Sequence, residues 1–184
     1  MISLNQSVST DIDDIVLDQY IKEIANGNKN ALADLYAMTS AAVYGFILSI
    51  LKNSHDAEDI LHDCYVSVFS ATQNYRSSGR PLAWIMAIAR NLCLLKMRER
   101  KKNADYPYEN WEHDIADRND VSAEDMIVLK DCMKNLSDEE HQIVYLHAVS
   151  GFKHREISQI MELPLSTVLS KYHRALKKLK ACLE

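Results

Sequence analysis

Apolar residues recur every three or four positions along nearly the whole chain, and nowhere in strict alternation, so the pattern predicts helices and no strands. The period begins at Asp18, with Tyr20, Ile21 and Ile24, and breaks at Asn26-Gly27-Asn28. Residues 1–17 are polar and are expected to form a loose tail. A second helix is expected over 30–51, with Leu32, Leu35, Tyr36, Val43, Phe46, Ile47 and Ile50 on one face. A third, over 54–71, opens on Asp56, Glu58 and Asp59, which suit the positive end of the helix dipole, and carries Ala57, Ile60, Leu61, Cys64, Val68 and Phe69. The run from Asn74 to Pro81 is a loop, and Pro81 suits the first turn of a fourth helix bearing Trp84, Ile85, Ile88, Leu92 and Leu95.

Residues 103–123 have no sustained period, contain Pro107 and read as a linker. A helix over 124–135 follows (Met126, Ile127, Leu129, Met133). Ser137 with Glu140 three residues on is a capping box for the next helix, which carries Ile143, Val144, Leu146 and His147 and stops at Ser150-Gly151. The last thirty residues read as a helix-turn-helix. A helix over 154–161 buries Ile157, Ile160 and Met161, Glu162-Leu163-Pro164 is the turn, and Ser166 is the expected cap of the final helix. Leu165, Val168, Tyr172, Leu176, Leu179 and Leu183 form one apolar stripe along that helix. Ser166, Thr167, Ser170, Lys171 and Arg174 fall on its outer face. Small hydroxyls with cations behind them suit a helix in the major groove, since bulky side chains would hold it off the base edges.

The fold class expected is therefore all-α, with two small helical domains, 18–102 and 124–184, joined by an acidic linker. Four Gly and three Pro in 184 residues agree with it. The net charge of −5 argues against a nucleic-acid binder until its distribution is considered. Residues 1–75 hold ten acids against three bases, whereas 76–102 hold eight bases against Glu99. Residues 103–126 hold eight acids against Arg118, and 165–184 hold five bases against Glu184. Two separate basic patches suggest two contacts with one polyanion. The first of them interleaves aromatics with cations (Tyr75, Arg76, Arg80, Trp84), which suits single-stranded DNA because exposed bases stack while cations hold the backbone.

Other chemistries find no support. There is no phosphate-binding glycine loop, no spaced metal-ligand set and no nucleophile with a base beside it, so neither an enzyme, a cofactor nor a metal is expected. His62-Asp63-Cys64 cannot converge on a metal from one helix, because residues two apart point away from each other. Cys64, Cys93, Cys132 and Cys182 lack paired spacing and are expected to be reduced and buried in a cytoplasmic protein. The first residues do not resemble a signal peptide, and the apolar run 41–51 is too short to span a bilayer, so no membrane insertion is expected.

Four stretches together resemble the bacterial sigma-70 family of RNA polymerase sigma factors, in its extracytoplasmic-function (ECF) group. They are Ala31-Leu-Ala-Asp-Leu-Tyr36 with the helix it opens, Asp56-Ala-Glu-Asp-Ile-Leu-His-Asp63 through Phe69, Trp84-Ile-Met-Ala-Ile-Ala-Arg-Asn91, and Leu136-Ser-Asp-Glu-Glu140 through Leu179 with Ser166-Thr-Val168 and His173-Arg-Ala175. The resemblance implies promoter recognition and strand opening on behalf of the polymerase, with promoter DNA and the core enzyme (largest-subunit clamp helices and flap) as partners and an anti-sigma factor as an expected regulator. It implies polymerase contacts at Asp56, Glu58, Asp59, His62, Asp63 and Phe69. It implies minus-10 contacts at Tyr75, Arg76, Arg80, Trp84, Arg90, Asn91, Lys96, Arg98 and Arg100, and minus-35 contacts at Lys153, Arg155, Ser166, Thr167, Ser170, Lys171 and Arg174. Leu169 stands where members usually carry Lys or Arg, Lys153-His154 replaces a common Ser-Tyr, and His62 replaces a frequent Gln. Glu162 replaces the usual turn glycine, which implies a turn that is not left-handed there. A stand-alone helix-turn-helix regulator and a regulatory protein that binds polymerase or a sigma factor without DNA are the alternatives.

Overall fold

In a computed structural model of the chain, which describes residues 5–77, 79–102 and 132–183, every element is helical. Helix α1 spans Asn5–Ala25, α2 Asn30–Leu51, α3 Ser54–Ala71, and α4 Pro81–Lys102. Helix α5 spans Asp138–Val144 and runs into a widened turn over Tyr145–Val149. The helix-turn-helix is α6, His154–Met161, and α7, Leu165–Leu183. The expected linker 103–123 lies outside the described residues, as does most of the helix expected over 124–135.

Helices α1, α3 and α4 pack around α2. Ten of its residues are buried, among them Leu35, Val43, Phe46, Ile47 and Ile50. By length and hydropathy alone this helix could cross a membrane, but half of its most apolar stretch is buried against its neighbours. Residues 1–17 were expected to be a loose tail, but α1 is helical from Asn5. Its second half is held by packing: Leu17 lies four residues before Ile21 and seven before Ile24, and all three are buried. The break after α1 is ordered by Asn28, whose amide donates to Glu23 at 2.9 Å while its side-chain oxygen accepts from the Asn30 N–H at 3.1 Å. Lys52 ends α2 in the left-handed conformation (φ 52°), and Asn53 caps α3 by accepting from the Asp56 N–H at 2.8 Å.

The α5–α7 unit starts as expected. The Ser137 hydroxyl accepts from the Glu140 N–H at 3.3 Å, and a Glu140 carboxylate oxygen accepts from the Ser137 N–H at 2.9 Å. The helix then widens. The Ser150 N–H reaches back five residues to the Tyr145 carbonyl at 3.2 Å, and Gly151 takes φ +72° to turn the chain. The turn between α6 and α7 is left-handed at Glu162 (φ 53°, ψ 39°), contrary to the expectation from its lack of glycine. Two bonds hold it: the Leu163 N–H to the Ser158 carbonyl at 3.1 Å and the Ser158 hydroxyl to the Leu163 carbonyl at 2.7 Å. A side chain in this conformation is strained by about 1 kcal/mol. Glu162→Gly is therefore expected to raise the unfolding free energy, by up to about 1 kcal/mol less the entropy glycine adds to the unfolded chain. An unchanged or lowered midpoint in urea would sink the strain argument. Ser166 is also not the cap of α7. The helix begins at Leu165, and the Pro164 carbonyl accepts from the Thr167 and Val168 N–H groups.

The two units share one contiguous core, in which Ile143, Leu146, Ile157, Ile160 and Val168 join the α1–α4 residues. The Tyr145 ring lies against Phe46 with centroids 6.2 Å apart, and its hydroxyl donates to the Ala42 carbonyl at 3.3 Å. Gly45 leaves the space that the hydroxyl fills, since a Cβ there would overlap it. The cysteines correct a further expectation. Cys64 and Cys93 are free and buried, their thiols pushed up to about 12 by burial. Cys132 and Cys182, however, form a disulfide across a Cα separation of 5.6 Å. They meet because α7 folds back along α5, so a pair 50 residues apart in sequence lies adjacent in space.

Candidate nucleic-acid and polymerase interfaces

The loop after α3 and the helix α4 carry the first basic patch. Tyr75 is half-buried, its ring 4.7 Å from that of Trp84 and its hydroxyl donating to Asp18 at 3.0 Å. Burial, then the Asp18 carboxylate, raise the Tyr75 phenol above its ordinary range, so it stays a neutral donor. Trp84 is likewise part of the packing and only partly open. Arg76, Asn91 and Arg98 are exposed. Arg90 is half-buried, and its Nε is enclosed without a hydrogen-bond partner.

Three cations of this patch are held by carboxylates. Arg80 donates to Asp14 at 2.9 Å and to Glu156 of α6 at 2.6 Å. Lys96 pairs with Asp56 at 3.2 Å, and Arg100 pairs with the other oxygen of Asp56 and with the Leu51 carbonyl at 3.3 Å. Asp56 had been assigned to a polymerase-facing row on α3. It instead turns inward and fastens the end of α4 to the start of α3, because the α4 cations lie directly over that helix N-terminus. Glu58, Asp59, His62 and Asp63 do face outward and line an open groove of about 460 Å³ with Leu92, Leu95, Lys96 and Glu99. Phe69 and Val66 are exposed beyond it, and Val66 is an apolar side chain the sequence pattern did not single out.

The second patch is on α7. Ser166, Thr167, Ser170, Lys171 and Arg174 line one open groove of about 310 Å³, which brings together the five residues expected to face the duplex. The Ser170 hydroxyl is turned back to the Ser166 carbonyl at 2.8 Å. Lys153 and Arg155 are exposed at the start of α6. Two acids of α5 steer the cations behind this face, and sequence periodicity gave them no role beyond capping. Lys171 pairs with Glu139 at 2.6 Å, and Lys178 with Glu140 at 2.6 Å, while the Arg174 Nε lies 3.8 Å from the other Glu140 oxygen.

The apolar stripe of α7 is only partly covered. Val168 and Ala175 are buried, but Leu165, Leu176 and Leu183 are exposed and Leu169 is half-buried. Tyr172 packs its ring against His147 and His154, whose own centroids are 4.4 Å apart. Burial, then the neighbouring His147 and His173, lower the His154 pKa and favour a neutral ring in this cluster.

Comparison with known proteins agrees with this arrangement. Residues 35–103 match the family described as Sigma-70 region 2, and residues 127–179 match the family described as Sigma-70, region 4. The chain is 26% identical over 175 residues to "ECF RNA polymerase sigma factor SigK" of Mycobacterium ulcerans (strain Agy99), across 91% of this chain and 94% of that one. A protein of the same description from Mycobacterium sp. (strain KMS) is 25% identical over 190 residues, across 100% of this chain and 98% of that one. In fold the chain is similar to the sigma factor RpoE in its complex with the anti-sigma factor NepR from Bartonella quintana (TM-score 0.70, 21% identity, 82% of this chain and 95% of that one). It is also similar to CnrH in complex with the cytosolic domain of CnrY (TM-score 0.66, 19% identity, 91% of this chain and 97% of that one).

Proposed function

The chain belongs to the sigma-70 family of sigma factors, in the ECF group, and on that premise we propose how its residues divide the work of promoter recognition. It is an initiation factor that confers promoter recognition on bacterial RNA polymerase. Its role is to bind and to hold strands open, not to catalyse, and it acts in the cytoplasm where the polymerase is. The exposed row on α3, Glu58, Asp59, His62 and Asp63 with Phe69, docks on the clamp helices of the polymerase's largest subunit. Arg76, Arg80 and Asn91 capture bases of the non-template strand at the minus-10 element, with Tyr75 and Trp84 as the packed wall beside them. Arg90, Lys96, Arg98 and Arg100 follow the strand's phosphates. The α7 face, Ser166, Thr167, Ser170, Lys171 and Arg174, reads the minus-35 duplex, with Lys153 and Arg155 on its backbone, while the same unit meets the polymerase flap.

The observation that carries this division is the exposure of Asn91 on a basic helix, separate from a small-hydroxyl face on α7. A regulator that used α7 alone would have no work for Asn91. Flipping a base costs a few kcal/mol, and capture beside α4 offsets it, so opening needs no nucleotide hydrolysis. The proposal includes an anti-sigma partner. What supports it is the exposed apolar set Val66, Phe69 and Leu95 beside acids, a surface suited to protein and not to DNA.

Run-off transcription with reconstituted holoenzyme on a genomic library tests the function as a whole. Discrete starts absent from core enzyme alone are expected, and their absence would remove the reading. Asn91→Ala is expected to slow open-complex formation about tenfold, a loss of about 1.4 kcal/mol, with binding to core polymerase unchanged. Equal losses in both assays would take Asn91 out of base capture. Arg174→Ala is expected to cost about 1–3 kcal/mol of discrimination at one minus-35 base pair. Identical footprints and promoter preferences for variant and parent would exclude that contact.

A further inference from the structure

We propose that Asp18 of α1 is a positioning residue for minus-10 recognition: it is the central tie by which α1 splints the loop 73–80 into the shape that receives a flipped base, and it touches no DNA itself. The proposal rests on the roles given above to Tyr75, Arg80 and Asn91.

The loop runs antiparallel to α1 and is tied to it at three levels. At its start the Gln73 side-chain amide donates to the Ala25 carbonyl at 2.6 Å. At its middle the Tyr75 hydroxyl donates to Asp18 at 3.0 Å, and the Ser77 hydroxyl bonds the same carboxylate. At its end Arg80 donates to Asp14 at 2.9 Å. Asp14, Asp18 and Ala25 fall on one side of α1 because they are four and then seven residues apart. Leu17, Ile21 and Ile24, buried beside them, fix how that side is turned.

Little else shapes the loop. Among the described residues its backbone bonds sit at its two ends: the Tyr75 N–H to the Thr72 carbonyl at 3.1 Å and the Trp84 N–H to the Arg80 carbonyl at 3.4 Å. The ties cover three turns of α1, about 16 Å, whereas the chain from Gln73 to Arg80 can reach about 25 Å when extended. That slack, with Gly79 at φ +76°, would leave an untied loop many shapes. Ordering completed in the free protein does not subtract from binding when the strand arrives. The charges point the same way. A carboxylate repels a DNA phosphate, so two acids beneath a basic patch weaken its general attraction for nucleic acid. What they supply in return is geometry, and both are only 14% exposed, set against the loop.

The test uses reconstituted holoenzyme on a promoter mapped by run-off transcription, with each non-template minus-10 base substituted in turn. The rate of open-complex formation on the parent promoter, divided by that on each substituted one, gives the discrimination. Asp18→Ala is expected to lower discrimination about tenfold at the position the loop reads, with core-polymerase affinity and minus-35 discrimination unchanged. Tyr75→Phe, which removes a single oxygen, is expected to do the same. The double variant should lose no more than either, since both changes break one link. Asp18→Asn keeps an acceptor for the Tyr75 hydroxyl and is expected to restore most of the discrimination. In variants whose helical circular dichroism matches wild type, four results overturn the proposal: parental discrimination in the single variants, additive losses in the double variant, an Asp18→Asn as damaging as Asp18→Ala, or losses shared equally by core binding and the minus-35 element. Should Asp18→Ala fail to fold, Tyr75→Phe decides by the same criteria. A wild-type holoenzyme indifferent to every minus-10 substitution would instead remove the base-capture reading on which the proposal stands.

Discussion

Reducing the Cys132–Cys182 bond, or replacing it by Cys132→Ser, is expected to destabilise the α5–α7 unit by about 4 kcal/mol, the loop-closure entropy of a link spanning about fifty residues. That link encloses the whole helix-turn-helix and joins the far end of α7 to the segment entering α5. At this end of α7 Leu183 is exposed. The stabilisation is large for a unit this small, whose own core is few residues deep. Urea unfolding of the oxidised and reduced protein, followed by tyrosine fluorescence and by far-ultraviolet dichroism, measures it. Coincident curves for the two forms would show that the cross-link adds nothing beyond the packing of α5 on α7. In a compartment that keeps thiols reduced the chain is on the weaker side of this difference.

Glu140→Ala is expected to cost about 2 kcal/mol, from loss of its half of the capping box and of the charge-assisted hydrogen bond from Lys178. The residue is only 2% exposed and serves two helices. Its carboxylate accepts from the Ser137 N–H at the start of α5 and from Lys178 at 2.6 Å on α7, with Arg174 on its other oxygen. Burial is the largest influence on this carboxyl and pushes its pKa up. The Lys178 ammonium and the Ser137 amide together outweigh it, and the pKa ends below the ordinary value. A carboxyl whose folded pKa is lowered contributes stability that is complete above its unfolded pKa and is lost as pH falls through the folded value. The stability difference between wild type and Glu140→Gln should therefore be full at neutral pH and shrink only at acid pH, below the usual carboxylate range. A difference that stays constant from neutrality to about pH 3 would show that the charge is not what matters. Because Arg174 leans on the same carboxylate, the alanine variant is also expected to blur the minus-35 readout.

Local signals carried most of the fold. Val43, Phe46, Ile47 and Ile50 announce the central helix by spacing alone, and Ser137 with Glu140 announces the start of α5 in chemistry that spans only four residues. The five α7 side chains meant to face one groove share it because a helix period projects them there. What stayed hidden depends on partners far away in sequence. Leu17 extends α1 only because Ile21 and Ile24 are already committed to the core. Asp56 looked like a surface acid until α4 brought Lys96 and Arg100 over it. Arg80 looked available until α6 brought Glu156 to it. Glu162 takes a left-handed conformation that its side chain disfavours, because Ser158 and Leu163 on either side hold the turn. The stripe on α7 has one period shared by the buried Val168 and the exposed Leu176, and periodicity cannot say how much of a face finds a neighbour.

The pairing of Arg80, Lys96 and Arg100 with carboxylates changes what a strand of DNA gains on arrival. A phosphate that meets an unoccupied cation releases a condensed counterion, and the entropy of that release is the usual source of tight, salt-sensitive binding. A phosphate that meets one of these three cations must instead displace an acid of the protein itself, exchanging one ion pair for another. On the division of roles proposed above, affinity on this face would come less from the bulk electrolyte and more from the fit of bases around Asn91 and Trp84. A chain that is acidic overall can in this way hold a promoter strand without clinging to every nucleic acid it encounters.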